Sequence, residues 1–412
     1  MTIRCAGRRD EDDQRPSAPN PESSMPSMRV RTSSVLAASL VLALSAGPLA
    51  APSFAAPPTG AAAAHRSPGP DANALRAALA MVPGDHATAA LVRVGGTNGS
   101  RRGSAGVRDL ASGRPAYPNA SFRAGSITKV VTAATVLRLA AEGDVDLDAA
   151  VQDYLPGLFT EDFDQPISVR QLLNHTSGIP AGDGLGDDFA ALYPRRFDTL
   201  SPREDVASAI AKGPESGPGE RQHYLNVNYT ILGFLIEKVT GRSYAAEATR
   251  LVLRPAGMTH TYFPGTDPRI RGPHNRGYQT VERPDGTTEL LDVTEWNQAD
   301  RWAAGDMIST TADLERLLTS LFRGRIVPQP QLEEMFTTPA GLPDATRSAG
   351  LEYEKVGDQV FWGKSGSRYG YSALMGGTRD LSRTLVYSVN ATDAKSAARN
   401  PVLDAITAAA LK

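Results

Sequence analysis

Residues Gly125-Ser-Ile-Thr-Lys-Val-Val-Thr-Ala-Ala-Thr-Val-Leu-Arg-Leu-Ala-Ala-Glu-Gly143 decide how this chain is read. Val130, Val131, Ala134, Val136, Leu137 and Leu139 recur at helical spacing and Gly143 is a stop, so the pattern predicts a strong helix over 127–142. Ahead of it, Asp71 caps a helix running to Val82 with Leu75, Leu79 and Val82 on one face, and Pro83-Gly84 ends it. Two short strands follow, Thr88–Val94 and Ser104–Asp109, joined as a hairpin by the Gly/Asn/Ser-rich turn 95–103.

Between Asp144 and about Asp300 the signals are helix or loop, with helices over 169–175 and 229–240. An amphipathic helix spans 311–323, started at Ser309 or Thr310. Strands return at Gln359–Gly363, Tyr371–Thr378 and Arg383–Ala391, and a closing helix runs from about Ala394 to Leu411. Strands at both ends with helices between them imply an α/β fold of the α+β type. Its mostly antiparallel five-stranded sheet is assembled from the two ends, is flanked by the terminal helices, and lies beside a mainly helical second domain. The expected boundaries are 71–143 with 300–412 for the sheet domain and 144–299 for the helical one, with a site in the cleft between them.

Composition narrows the function. The 412 residues hold 43 Lys plus Arg against 45 Asp plus Glu, a net charge of −2 with no long basic block, so nucleic acid is not an expected partner. Cys5 is the single cysteine, which excludes a disulfide framework and a zinc ribbon. The six histidines form no His-Glu-x-x-His and no close pair, so neither metal nor other cofactor is expected. Residues 1–27 are polar and read as disordered, or as lying upstream of a true start at Met25 or Met28. Arg29 and Arg31 then precede the short apolar run Val35–Leu44, Gly47-Pro48 breaks it, and Ser53-Phe-Ala-Ala56 offers small residues for cleavage. That layout predicts a signal peptide over 28–56, cleaved near Ala55 or Ala56, a linker over 57–70, and a secreted monomer without a stable membrane anchor. A membrane anchor is the competing reading of the apolar run, which is short for a span.

Three motifs carry chemistry. Ser126-Ile-Thr-Lys129 opens the strong helix, where residues i and i+3 share a face, so the Lys129 amine stands beside the Ser126 hydroxyl. A helix N-terminus also offers unpaired N–H groups to a developing negative charge. A desolvated lysine can then serve as the base that activates the serine. Tyr224-Leu-Asn226 lies in a loop before the helix near Tyr229. A tyrosine close to cations can approach the phenolate and act as a base, and an amide can hold a substrate carbonyl or orient the lysine. Lys364-Ser-Gly366 ends a strand: Gly366 lets a ligand lie against the backbone, and Lys364 supplies positive charge for a substrate carboxylate or to depress neighbouring pKa values. Each motif alone has a plain reading: a capping serine with a solvated lysine, a buried tyrosine with a capping asparagine, a strand-end turn.

Taken in order, the three resemble the motifs of the serine penicillin-recognising family, Ser-x-x-Lys, Tyr-x-Asn and Lys/His-Thr/Ser-Gly. The resemblance is to the branch of class C β-lactamases, secreted D-alanyl-D-alanine carboxypeptidases, D-aminopeptidases and related esterases. Stretches 167–178, 228–233, 254–258 and 305–314 look like that family too, and the likeness spans about Asp71 to the C-terminus. His175 falls in one such stretch and is read as structural.

The resemblance implies a β-lactamase/transpeptidase-like fold and two-step acyl transfer. Ser126 would be the nucleophile, and Lys129 and Tyr224 would relay its proton. Asn226, Lys364, Ser365, Gly366 and Ser367 would bind substrate, with the oxyanion between the N–H groups of Ser126 and Ser367. Lys129 and Lys364 are expected to lower each other's pKa. The implied substrates are peptidoglycan stem peptides or small amides and esters, with β-lactams as covalent inhibitors. A D-alanyl-D-alanine carboxypeptidase, with or without transpeptidase activity, is the leading expectation; a β-lactamase, an esterase or D-aminopeptidase, and a non-catalytic penicillin or peptidoglycan sensor are the alternatives. Two departures bear on that choice. Carboxypeptidases of this branch commonly have His where this chain has Lys364, and they can supply an Arg where stretch 351–355 offers Glu352, leaving Arg368 as a candidate anchor for a peptide carboxylate.

Overall fold

The computed structural model describes residues 69–411 apart from 98 and 187, so the expected signal peptide and nearly all of the linker lie outside the described residues. The strands are β1 (Ala87–Gly95), β2 (Arg101–Gly106), β3 (Ser121–Arg123), β4 (Tyr278–Glu282), β5 (Thr288–Asp292), β6 (Ile308–Thr310), β7 (Glu352–Val356), β8 (Gln359–Arg368), β9 (Tyr371–Thr378) and β10 (Thr384–Ala391). The helices are α1 (Ala72–Leu79), α2 (Thr128–Glu142), α3 (Val151–Tyr154), α4 (Val169–Leu173), α5 (Phe189–Leu192), α6 (Pro202–Ile210), α7 (Asn226–Thr240), α8 (Tyr244–Ala248), α9 (Thr311–Phe322) and α10 (Pro401–Leu411). Among the described residues no helix is long and apolar enough to cross a membrane.

The main sheet runs β2-β1-β10-β9-β8-β7 with every neighbouring pair antiparallel. It has six strands, not the five expected. The added strand, β7, is Glu-Tyr-Glu-Lys-Val at the sheet's edge, where charged residues discourage further pairing and blur the apolar alternation that marks a strand. Every residue of β10 is buried, as expected of a strand covered on both faces. Leu385, Tyr387 and Val389 join α1 and α10 in one cluster, while Val386 faces a second core containing α2, α7 and α9.

The middle segment is less purely helical than expected. β4 and β5 form a hairpin there, and β3 pairs with β6 in a separate short ribbon. The turn Arg283-Pro-Asp-Gly286 is a strong local signal for that hairpin. Helix ends follow their chemistry: Asp71 accepts from the N–H groups of Asn73 and Ala74, Ser168 with Gln171 and Ser201 with Glu204 form capping boxes, and α2 stops at Gly143 with φ 86°. Several expected boundaries move, among them β2, which lies at Arg101–Gly106 and not Ser104–Asp109, and two near the site. α7 starts at Asn226, so Asn226 belongs to a first helical turn and not to a loop, and α10 starts only at Pro401, leaving 394–400 as connection.

Candidate active site

Ser126 sits in a tight turn, Gly125–Ile127, that feeds α2. Gly125 has φ 54°, and a Cβ built there would come within 2.6 Å of the Ser367 nitrogen, so only glycine lets β8 press against this turn. The Ser126 side chain caps neither the turn nor α2. Lys129 is fully buried, so the plain reading of a capping serine with a solvated lysine does not hold. Its Nζ donates to Asn226 Oδ1 at 2.7 Å, to the Ala304 carbonyl at 2.7 Å and to Ser126 Oγ at 3.4 Å. Those acceptors aim the amine at the serine. The Ala304 carbonyl was invisible to motif reading, although it borders the family-like stretch that begins at Gly305.

Tyr224 precedes α7 and hangs over the same amine. Lys129 Nζ, Lys364 Nζ and the Arg347 guanidinium carbon lie 4.9, 4.9 and 5.0 Å from its ring centroid. The ring packs at 4.6 Å on the imidazole of His175, a buried residue with φ 64° whose Nδ1 accepts from the Leu225 N–H at 3.3 Å. Burial, and after it the nearby cations, hold the His175 pKa well below its usual value, so it stays neutral and acts as a structural support for the Tyr224 loop. Gln222 locks that loop from outside: its amide accepts from the Arg347 N–H at 3.1 Å and donates to the Arg347 carbonyl at 2.8 Å. Arg347, like Ala304, borders the site without any motif to mark it.

Lys364, Ser365, Gly366 and Ser367 occupy the end of β8, beyond the reach of β7, whose pairing stops at Glu352 opposite Gly363. That leaves the edge of β8 open toward Ser126. A Cβ on Gly366 would lie 1.9 Å from the Ala124 carbonyl oxygen and 3.0 Å from the Ser126 nitrogen, so the strand rests directly on the nucleophile's turn. The Ser365 N–H points off this edge to Glu352 at 3.4 Å, and Ser367, two residues on, shares its side of the strand. The Ser126 and Ser367 nitrogens therefore border one space. The structure thus brings Ser126, Lys129, Tyr224, Asn226 and residues 364–367 together.

The charges decide what this arrangement can do. Burial opposes the Lys129 ammonium, Lys364 adds repulsion, and the pKa falls to about 8 even though Tyr224 pulls the other way. Burial also opposes the Tyr224 phenolate, but Lys129 and then Lys364 outweigh it and bring the phenol down to about 8. With both groups brought to about 8 and each acting on the other, the proton lost on the way to the active form belongs to the pair. Lys364 does not follow the expected mutual lowering. Burial works against its ammonium, yet the Glu352 carboxylate 3.4 Å away, helped by Tyr224, raises its pKa, so Lys364 stays charged. Among the described residues no three His, Cys, Asp or Glu side chains converge as metal ligands. What the site offers is a serine, a base pair tuned to neutral pH, a fixed cation and two N–H groups.

The model of the β-lactamase family matches residues 51–409. The chain belongs to that family. Its β-lactamase/transpeptidase-like architecture is shared with a solved D-stereospecific amidohydrolase from Streptomyces sp. at TM-score 0.69 and 32% identity, over 82% of this chain and 98% of that one. Protein flp of Staphylococcus aureus (strain NCTC 8325 / PS 47) is 34% identical over 216 residues, 51% of this chain and 40% of flp, so the chain spans well under half of that relative's length. A penicillin-binding protein of Bacillus subtilis (strain 168) is 28% identical over 304 residues, 70% of this chain and 64% of its own.

Seen as a β-lactamase-family site, this one has its cations committed. Arg368, the candidate carboxylate anchor, is buried and ion-paired with Asp300 at 3.1 Å, so it is not free to receive a substrate. Ser367 turns its hydroxyl to the Ala394 carbonyl, and Lys395 Nζ donates to the Ser367 carbonyl at 3.1 Å, tying the connection before α10 to the rim of the site.

Proposed function

We propose that the chain hydrolyses amide bonds to D-configured acyl groups through an acyl-Ser126 intermediate. Neutral Lys129 takes the Ser126 proton as Oγ adds to the carbonyl carbon. The oxyanion is held by the Ser126 and Ser367 N–H groups, an interaction typically worth about 3–4 kcal/mol per donor. Tyr224 hands a proton to the leaving nitrogen and recovers one from Lys129, the C–N bond breaks, and an amine departs. Water then adds to the ester, the acyl–oxygen bond breaks, and Ser126 regains its proton while the acid leaves.

The observation that carries this reading is the buried Lys129 amine, held at 3.4 Å from Ser126 Oγ by Asn226 and Ala304 and poised near neutral pH. The D-stereospecific amidohydrolase covered over 98% of its length supports the D-acyl and amide parts. The leader-like stretch 28–56 supports export and so access to D-alanyl-D-alanine cell-wall peptides, which makes carboxypeptidase action the second reading behind amide hydrolysis, with β-lactams acylating the same serine in either. Purified protein should release D-alanine from a diacyl-Lys-D-Ala-D-Ala peptide or ammonia from a D-amino-acid amide, with Ser126→Ala abolishing both. Equal release by Ser126→Ala, or cleavage of the L-isomers alone, would overturn the proposal.

A further inference from the structure

We infer that Glu352 is a specificity-determining residue: its carboxylate fills the anion site of the Lys-Ser-Gly strand and selects leaving groups that carry no carboxylate of their own. The inference rests on the acyl-serine reading above and names the substrate class of that same site.

Three donors converge on one oxygen of Glu352. Lys364 Nζ lies 3.4 Å from Oε1, the Ser365 hydroxyl 3.1 Å and the Ser365 N–H 3.4 Å, while Arg347 Nε stands 3.7 Å from Oε2. An ammonium, a hydroxyl and a strand-edge N–H are the set an incoming carboxylate would need at this end of β8. Here a side chain of the protein already holds them. Its placement is set by the sheet and not by a loop, since Glu352 pairs with Gly363 at the last rung of the β7–β8 ladder. The side chain remains 29% exposed, so it faces the opening and is not sealed inside the core.

The physical consequence is an exclusion. A leaving group ending in a carboxylate would bring a second anion against Glu352 while finding Lys364 already matched, and like charges set together disfavour binding. A neutral carboxamide, a simple amine or a cationic group meets no such repulsion, and its N–H groups can donate to Oε2. Arg368 offers no alternative anchor, being paired with Asp300. The geometry therefore favours amides over free-acid peptides at an identical scissile bond.

The test is a matched pair: diacyl-Lys-D-Ala-D-Ala and the same peptide with a C-terminal carboxamide, which differ only in the charge of the leaving group. For the wild-type protein we expect kcat/KM for the carboxamide to exceed that for the free acid by about tenfold or more. Glu352→Gln keeps the shape and removes the charge, and should bring the ratio to within about twofold or invert it, as Lys364 becomes available to the free acid. A wild-type preference for the free acid would overturn the inference without reference to any variant, so it survives a poorly folding Glu352→Gln. An unchanged ratio in a folded Glu352→Gln would overturn it too. Acylation of Ser126 by both peptides with the wrong preference sinks only this inference, whereas no acylation of Ser126 by either sinks the acyl-serine reading beneath it.

Discussion

Replacing Lys364 by Met isolates the electrostatic part of the mechanism. Lys364 Nζ lies 4.9 Å from the Tyr224 ring centroid, and its charge lowers the pKa of both Tyr224 and Lys129. A unit charge at that distance acts with about 3.4 kcal/mol at an effective dielectric of about 20, which would be worth roughly 2.5 pKa units unscreened. Glu352 offsets part of this from 3.4 Å, so an upward shift of at least about one unit in the apparent pKa of the Lys129–Tyr224 pair is the conservative expectation. The sign follows from the role of base: the pair must lose a proton to work, and removing a cation makes that loss harder. With the pair near 8, about one tenth is active at pH 7; with it near 9, about one hundredth. Initial rates on D-alanine p-nitroanilide, which has no carboxylate to confuse binding with activation, should fall about tenfold near neutral pH and return to wild-type level at about pH 10. An unmoved pH profile, or a loss that high pH does not restore, would refute the reasoning, because the second amine would then act through structure and not through its charge.

Two further outcomes follow from burial and packing. Asp306 is buried with Oδ1 unpartnered, and burial raises its pKa to about 7, so the stability it contributes is full below the ordinary aspartate range and is lost as pH rises through about 7. Asp306→Asn should therefore gain on wild type in urea unfolding between pH 5 and pH 8, by at most roughly 3 kcal/mol, and a gap that narrows over that range would contradict the assignment. Gly366→Ala places a methyl group 1.9 Å from the Ala124 carbonyl oxygen, so it should destabilise by about 1–3 kcal/mol. It should also cut acylation at least about a hundredfold as the Ser126 and Ser367 nitrogens separate; near-wild-type acylation would show that they do not form one oxyanion site.

How much of this was legible in the sequence depended on the kind of signal. The Val130–Leu139 periodicity gave α2 almost to the residue because a helix buried on most sides repeats its apolar positions without interruption. Thr384–Ala391 was legible as a strand for the matching reason, a continuous run covered on both faces. β7 was not, since an edge strand of alternating Glu, Tyr and Lys looks like solvent-exposed loop until β8 pairs with it. Within the site, the spacing of Ser126 and Lys129 forced their proximity, whereas Tyr224 and Lys364 were brought to them by tertiary packing that only the combination of motifs suggested. The residues that set the charge were the least legible. Glu352 stood out only as a departure from a pattern, and Arg347 carried no signal, because its position depends on Gln222 gripping its backbone from 125 residues away. The expected mutual lowering of two lysines failed for the same reason: a carboxylate on a neighbouring strand outweighs the repulsion at Lys364.

The central claim is that the Ser126 hydroxyl is the acyl acceptor, activated by Lys129. Intact-mass and peptide-mapping mass spectrometry after exposure to benzylpenicillin tests it most directly. A single adduct of the mass of the whole β-lactam is expected on the peptide containing Ser126, absent from Ser126→Ala and formed far more slowly by Lys129→Ala. An adduct on another residue, or one that persists in Ser126→Ala, would contradict it.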